Sequence, residues 1–380
     1  MIANSSAVMP VTLLGSLAIL VRADLGFSET QLGLAVSVFF ACAAGLSVHG
    51  GRFAERLSPA RSMSLGVFGS CLALLGIATL AWSFEVLLVF LIIAGLANAV
   101  GLPGANLTLA RAVPAHQRGL AFGLKQASVP MATTVAGFAV PVLGLTIGWR
   151  WAFALMSLAL VPFLLALRSV PPVEVPPRGA RPRPDVRNSA LVVLAVGAAF
   201  AVAVGSSLGT FYVESAVAQG IRPDIAGIML AAGGISGVLG RITWGVIADR
   251  RGRGALRLAA TLLGLGSLGL LGLAFVGGLV ALAVSTLLAF AFGWGWNGLF
   301  HYAVVRHNPS APAAASGITM MGMRSGGVAG PFLFGFTVER LGYPVAWGLS
   351  AVSLLVGASL FLIGRGMIVR GRRDLTGASS

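Results

Sequence analysis

Two cations sit inside stretches of this chain that otherwise read as membrane-spanning. Lys125 lies in Ala121-Phe-Gly-Leu-Lys-Gln-Ala-Ser-Val-Pro130, and Arg324 in Ile318-Thr-Met-Met-Gly-Met-Arg-Ser-Gly-Gly-Val-Ala-Gly-Pro331. A cation at membrane depth costs several kcal/mol unless it meets water or a partner. Neither has a carboxylate nearby in sequence. Both therefore read as parts of a site for an anionic solute. Arg324 is the stronger candidate. Counted from Ala313 it lies ~16 Å deep, near the middle of a hydrocarbon core roughly 30 Å thick. Its fork can hold an oxyanion at two points; the alternative is a structural bond to carbonyls or to a distant acid. Lys125, ~8 Å deep, either meets solute or snorkels to the interface. Gln126 and Ser128 beside it are similar polar candidates. Asn98 either contacts solute or bonds a neighbouring helix. Trp294 and Asn297 either line the cavity or belong to the core and lipid face. His301 needs no special role at its depth.

These residues need spans to hold them. Of 380 residues, 57% are hydrophobic and 10% charged, against roughly 25% charged in a soluble domain. The apolar runs are about 20 residues long, which means helices rather than barrel strands. Twelve such runs are predicted: 3–21, 29–49, 63–82, 86–110, 120–143, 151–168, 189–211, 225–247, 256–276, 279–304, 313–337 and 344–364. Tyr212–Asp224 reads as a polar connection between the seventh and eighth. The first run reads as a span, not a cleaved signal, for want of a basic leading segment. Cys42 and Cys71 read as small buried hydrophobes.

The net charge of +15 would suggest nucleic acid in a soluble protein. Here it reads as cytoplasmic positive charge. With alternate loops on opposite sides, twenty cations, Arg241 among them, fall on one face. Arg22, Arg150, Arg222 and Arg340 fall on the other, and Lys125 and Arg324 are embedded. Both termini are expected in the cytoplasm, in a plasma or inner membrane. The domains expected are a six-helix bundle over 1–168, a Pro- and Arg-rich cytoplasmic linker over 169–188, a second bundle over 189–366, and a tail over 367–380. The linker's arginines either touch anionic lipid or are simply solvated.

A shift of 194 residues lays the first half on the second. Gly51, Ala54, Glu55 and Arg56 meet Gly245, Ala248, Asp249 and Arg250, and the register holds through Gly148, Ala152 and Leu155 on Gly342, Ala346 and Leu349. Two related bundles about an axis along the membrane normal are implied, with solute bound near the midplane between them. Lys125 and Arg324 are not repeat mates, so the site is asymmetric. Gly322, Gly326 and Gly330, spaced four apart, read as a close-packing ridge.

The loops Gly51-Arg-Phe-Ala-Glu-Arg-Leu-Ser-Pro-Ala-Arg61 and Gly245-Val-Ile-Ala-Asp-Arg-Arg-Gly-Arg253 resemble the Gly-x-x-x-Asp-Arg-x-Gly-Arg-Arg motif of the major facilitator superfamily, in the two places that family carries it. The resemblance implies that family's all-α fold of twelve helices. It also implies a cytoplasmic gate of Gly51, Glu55, Arg56, Arg61, Gly245, Asp249, Arg250 and Arg253, with Glu55 and Asp249 as latch acids. The glycines are expected to let helices approach closely. The first copy departs from the pattern, with Glu for Asp, and Ser58 and Pro59 at the turn.

The sequence carries no phosphate loop, no His-Glu-x-x-His and no cysteine pair, so no cofactor, metal or ATP hydrolysis is expected. The chain is read as a non-enzymatic, gradient-driven transporter, monomeric in the lipid bilayer, carrying a small anion with a possible coupling ion or proton. A proton-coupled drug exporter is the alternative. It is disfavoured because Ala94–Gly101 holds no arginine and Ser128-Val-Pro-Met131 replaces the Gly-Pro motif that the family's drug exporters carry in the fifth helix. A non-transporting sensor is the third reading; it would need a signalling domain or a long tail, and neither is expected here.

Overall fold

The computed structural model describes residues 2–46, 58–112, 125–168, 189–251, 254–308 and 311–377. Every regular element among them is helical, as hydrocarbon demands of an open chain, because only a helix satisfies its own backbone groups. The helices are α1 (Ile2–Ser16 and Ala18–Leu25, bent by 69° at Leu17), α2 (Glu29–Gly45), α3 (Pro59–Leu80), α4 (Phe84–Ala112), α5 (Ser128–Ala139, extended by the π-turn Val140–Gly144) and α6 (Trp149–Arg168). Then follow α7 (Ser189–Ala218), α8 (Pro223–Arg251), α9 (Ala255–Phe275) and α10 (Leu279–Gly293 and Trp296–His307). The long helix Pro312–Gly377 folds at Gly342, where φ is 80°. Its two arms are α11 and α12, completing the twelve spans of the sequence reading.

One predicted boundary is wrong. The polar connection assigned from Tyr212 onward is helical to Ala218, with Tyr212 and Glu214 buried. The chain leaves the helix only at Gln219–Gly220. Tyr212 bonds Thr286 of α10, and Glu214 meets Arg22 of α1. Long-range partners neutralise the polar groups that made this stretch resemble a loop.

The 194-residue shift reappears as geometry. At the arginine-poor end, a Cβ on Gly33 (α2) would strike the backbone of Pro331 (α11), and one on Gly227 (α8) would strike Val140 and Gly137 (α5). Gly33 and Gly227 are repeat mates, as are Gly137 and Pro331. Gly15 (α1) packs on the backbone of its own mate, Gly209, and of Thr210 (α7). The glycines let the α2–α11, α5–α8 and α1–α7 seams close to backbone contact, which seals this end.

The ridge of Gly322, Gly326 and Gly330 also packs closely, each against one α7 carbonyl, those of Ala195, Ala199 and Ala203. Gly326→Leu is expected to lower stability by about 1–3 kcal/mol, the usual range for overpacking. Gly317→Leu, on the same helix but meeting nothing within 4 Å among the described residues, is expected to leave the unfolding temperature unchanged. Thermal unfolding of the two purified variants checks this.

Ser58 stands where the loop motif has its glycine, and its φ is 79°. A non-glycine residue there costs about 1–3 kcal/mol of backbone strain. It is partly offset by Pro59 at the first turn of α3 and by the Ser58 hydroxyl accepting from the Arg61 amide at 3.5 Å.

Candidate functional site

Within the arginine-rich half of the spans, α5, α8 and α10 bring five polar side chains together. Gln126, in the helical residues that lead into α5, donates its Nε2 to Asn297 Oδ1 of α10 at 3.1 Å. Arg241 of α8 donates Nη1 to the Gln126 carbonyl and Nε to the Trp294 carbonyl at 3.2 Å. Lys125 adjoins Gln126, and His301 follows Asn297 by one helical turn on α10. Lys125, Gln126, Arg241, Asn297 and His301 each keep part of their surface accessible. Arg241 is ten residues, ~15 Å, inside the end of α8 at Arg251.

Arg241 corrects the sequence reading, which counted it among the loop cations. The loop count rested on span ends, and Arg241 lies only six residues before the predicted end at 247. The signal the sequence holds is its position inside the predicted span 225–247, close to the end where boundaries are least certain.

Arg324 of α11 points to a second seam. Its Nη1 donates to the carbonyls of Ala43 and Ala44, at 3.1 and 3.2 Å. These carbonyls belong to the last turn of α2, where the negative end of its dipole lies. Arg324 and Arg241 thus both reach from the second half of the sequence to backbone carbonyls of the first, one at the α2–α11 seam and one at the α5–α8 seam. No carboxylate lies within salt-bridge distance of either among the described residues. A guanidinium bonded to neutral carbonyls keeps its full charge, so each seam retains a positive site in a poorly solvated setting.

The remaining predicted residues separate from this group. Asn98 of α4 is buried and donates Nδ2 to the Ala7 carbonyl of α1 at 3.1 Å. Ser128 bonds Asn4 of α1 and the Lys125 carbonyl. Trp294 is in the core, stacked edge-on to Phe290 at 4.9 Å, with its indole donating to the Gly205 carbonyl at 3.2 Å. It joins the polar cluster through its backbone carbonyl and through its ring, which lies 5.9 Å from the Arg241 guanidinium carbon.

Of the predicted gate, Gly51, Glu55, Arg56 and Arg253 lie outside the described residues. Asp249 and Arg250 fall in the last turn of α8, and their side chains lie outside the described set. Arg61 is exposed on α3. A Cβ on Gly245 meets nothing within 4 Å among the described residues. No group of three or more His, Cys, Asp or Glu residues poised for a metal occurs among the described residues.

Comparison with known proteins agrees with the fold. The chain is 28% identical over 356 residues to a chloramphenicol resistance protein of Streptomyces lividans, covering 88% of each. Three solved structures share its architecture. A bacterial homologue of the human lysosomal transporter Spinster, inward-facing and occupied, has a TM-score of 0.73 at 18% identity, covering 98% of this chain and 95% of that one. A nucleoside transporter has 0.76 at 16%, covering 96% and 98%. A D-xylose–proton symporter has 0.76 at 15%, covering 95% of each. The sequence profile of the Major Facilitator Superfamily matches residues 1–331, and the chain therefore belongs to that superfamily as a multi-pass membrane transporter of small solutes.

Proposed function

We propose that this transporter moves a small anion, organic or inorganic, by alternating access. The observation that carries the reading is the pair of inter-half arginines, Arg241 and Arg324, whose hydrogen bonds among the described residues all go to backbone carbonyls. An anion entering between the halves offers each guanidinium a better partner than a carbonyl, since charge-assisted bonds are roughly twice as strong as neutral ones. Lys125, Gln126 and Asn297 complete the binding set around Arg241. Asn98 and Trp294 support the walls. Anion binding then competes directly with the two cross-half contacts, so the cargo itself loosens the arginine-rich end. A ligand shifts a conformational equilibrium only by such differential contacts.

The arginine-rich face is the cytoplasmic one in this reading, with both termini there and the chain in the cell membrane. Residues 1–168 and 189–366 rock against each other about the 169–188 linker. The charged loops, with Glu55 and Asp249 as acids beside Arg56, Arg61, Arg250 and Arg253, latch the cytoplasmic gate. One chain contains the entire site and works as a monomer.

A second reading is export of a neutral drug. It is favoured by the relative whose name refers to chloramphenicol resistance. Proteoliposome flux separates the two. Acetate, succinate, phosphate and sulfate are tested against chloramphenicol, in the wild type and in Arg324→Ala. Saturable flux of at least one anion, reduced on the order of tenfold or more by Arg324→Ala, is the expected result. Chloramphenicol flux with no anion flux overturns it.

A further inference from the structure

A groove of about 490 Å³ runs between α7, α11 and α12, from mid-membrane toward the arginine-poor, outer end, and the anion reading makes no use of it. Every residue that lines it belongs to the second half of the chain. Phe200, Leu333 and Leu349 among them are exposed, so the groove opens onto the bilayer and not between the halves. Five hydroxyls line it, and each donates to a backbone carbonyl. Ser207, Ser325, Thr337 and Ser350 bond the carbonyl one turn earlier on their own helices, at 2.8–3.0 Å. Ser353 of α12 bonds the Phe200 carbonyl of α7 at 3.3 Å. With those donors spent, the groove has no free hydroxyl proton to offer a polar guest.

The internal repeat supplies a comparison. Under the 194-residue shift, Ala203, Ser207, Ala329 and Ser350 stand where the first half has Met9, Leu13, Val135 and Met156. The second half has given up side-chain volume at four positions that hollow the groove. Phe200, Leu333 and Phe334 run the other way, their mates being Ser6, Ala139 and Val140; those exchanges add apolar wall. A cation stands at the outer end. Leu333, Thr337 and Arg340 follow one another at i, i+4 and i+7 along one face of α11. Arg340 is exposed, with its guanidinium carbon 4.5 Å from the centre of the Phe336 ring. No carboxylate lies within salt-bridge distance of it among the described residues.

We propose that the groove is a lipid site: it holds one acyl chain of an outer-leaflet phospholipid, whose phosphate rests on Arg340. An apolar recess facing hydrocarbon is filled by hydrocarbon, because water finds too few polar partners there and an empty slot forfeits dispersion contacts. The length fits one leaflet. Ser325 and Arg340 are fifteen residues apart on α11, ~22 Å, against roughly half of the 40–45 Å that a bilayer spans with its headgroups. The chain alone would exchange with any other. The guanidinium adds a two-point, charge-assisted contact to the phosphate, which orients one lipid and favours it. The bound chain covers the bilayer side of Gly326 and Gly330, which also line the groove. None of this depends on the identity of the cargo.

A phosphatidylglycerol with a diazirine in one acyl chain, mixed into phosphatidylcholine liposomes that hold the full-length protein, tests this. Photolysis, digestion and mass spectrometry locate the adducts. Labelling is expected to concentrate on the lining residues of α7, α11 and α12, well above the repeat-mate positions on α1, α5 and α6. Ala203→Met and Ser350→Met restore the first half's side chains and are expected to bring groove labelling down to that of the mates. Arg340→Ala, at an exposed position that leaves folding intact, is expected to reduce it about two- to fivefold, the range for an exposed ion pair. A diazirine-bearing diacylglycerol, which lacks the phosphate, is expected to label more weakly and to ignore Arg340→Ala. Equal labelling of the two halves would overturn the proposal, as would groove labelling undiminished by Arg340→Ala or by the methionine variants. Absence of groove labelling in a protein that behaves as a dimer would give the groove to a second copy and overturn it too.

Discussion

Replacing Arg241 with alanine is expected to weaken anion binding by about 10- to 100-fold. That range corresponds to about 1.5–3 kcal/mol for hydrogen bonds to a charged group. Arg241 is the one cation in the polar cluster whose guanidinium bridges α8 to both α5 and α10, through the carbonyls of Gln126 and Trp294. Alanine removes the charge and both bridges together. Arg241→Lys keeps the charge but presents a point donor in place of a planar fork, so it is expected to fall between the two. Equilibrium binding of the purified variants to a transported anion gives the ratio. A fall in thermal stability that matches the fall in affinity would show only that the helices had come apart. The expected result is therefore weak binding in Arg241→Lys with nearly normal stability.

A pair of bulky side chains at Gly33 and Gly227 is expected to jam the outer end open and bring transport close to zero. In the closed seams the two glycines lie against Pro331 and against Val140 and Gly137. A leucine at either leaves no room for the opposing backbone. The changes fall on repeat mates, so the two wedges act symmetrically about the axis. Val213 of α7 is 2% exposed when this end is sealed. In a background without Cys42 and Cys71, a Val213→Cys reporter is expected to react with a membrane-impermeant maleimide on the order of tenfold faster in the Gly33→Leu/Gly227→Leu protein. Unchanged labelling with unchanged flux would mean that these seams do not form the outer gate.

Much of this fold was legible in the sequence, because it is written in quantities the bilayer imposes. Span length, the separation of positive charge between alternate loops and the 194-residue register do not depend on knowing any contact. Under the same register Gly15 and Gly209 are mates, and the structure makes them neighbours in space. The extent of α7 was not legible. Glu214 makes its stretch look like a loop, and the arginine that neutralises it lies 192 residues away. Arg241 is obscured for a related reason: near a predicted span end, an arginine of the loop and an arginine within the helix look alike. The partners of Arg324 were hidden as well, because backbone carbonyls 280 and 281 residues distant leave no mark on side-chain composition. The sequence could offer carbonyl bonding only as an alternative to a solute.

The central claim is that an anion sits on Arg241 between the two halves. Its most direct test is the thermal stability of the purified protein with acetate, succinate, phosphate, sulfate or chloramphenicol, in the wild type and in Arg241→Gln. A ligand at 100 times its dissociation constant adds about 2.7 kcal/mol to the state that binds it. The account predicts that at least one of these anions stabilises the wild type, that chloramphenicol does not, and that Arg241→Gln loses the effect. Stabilisation by chloramphenicol alone, or by an anion equally in both proteins, would contradict it.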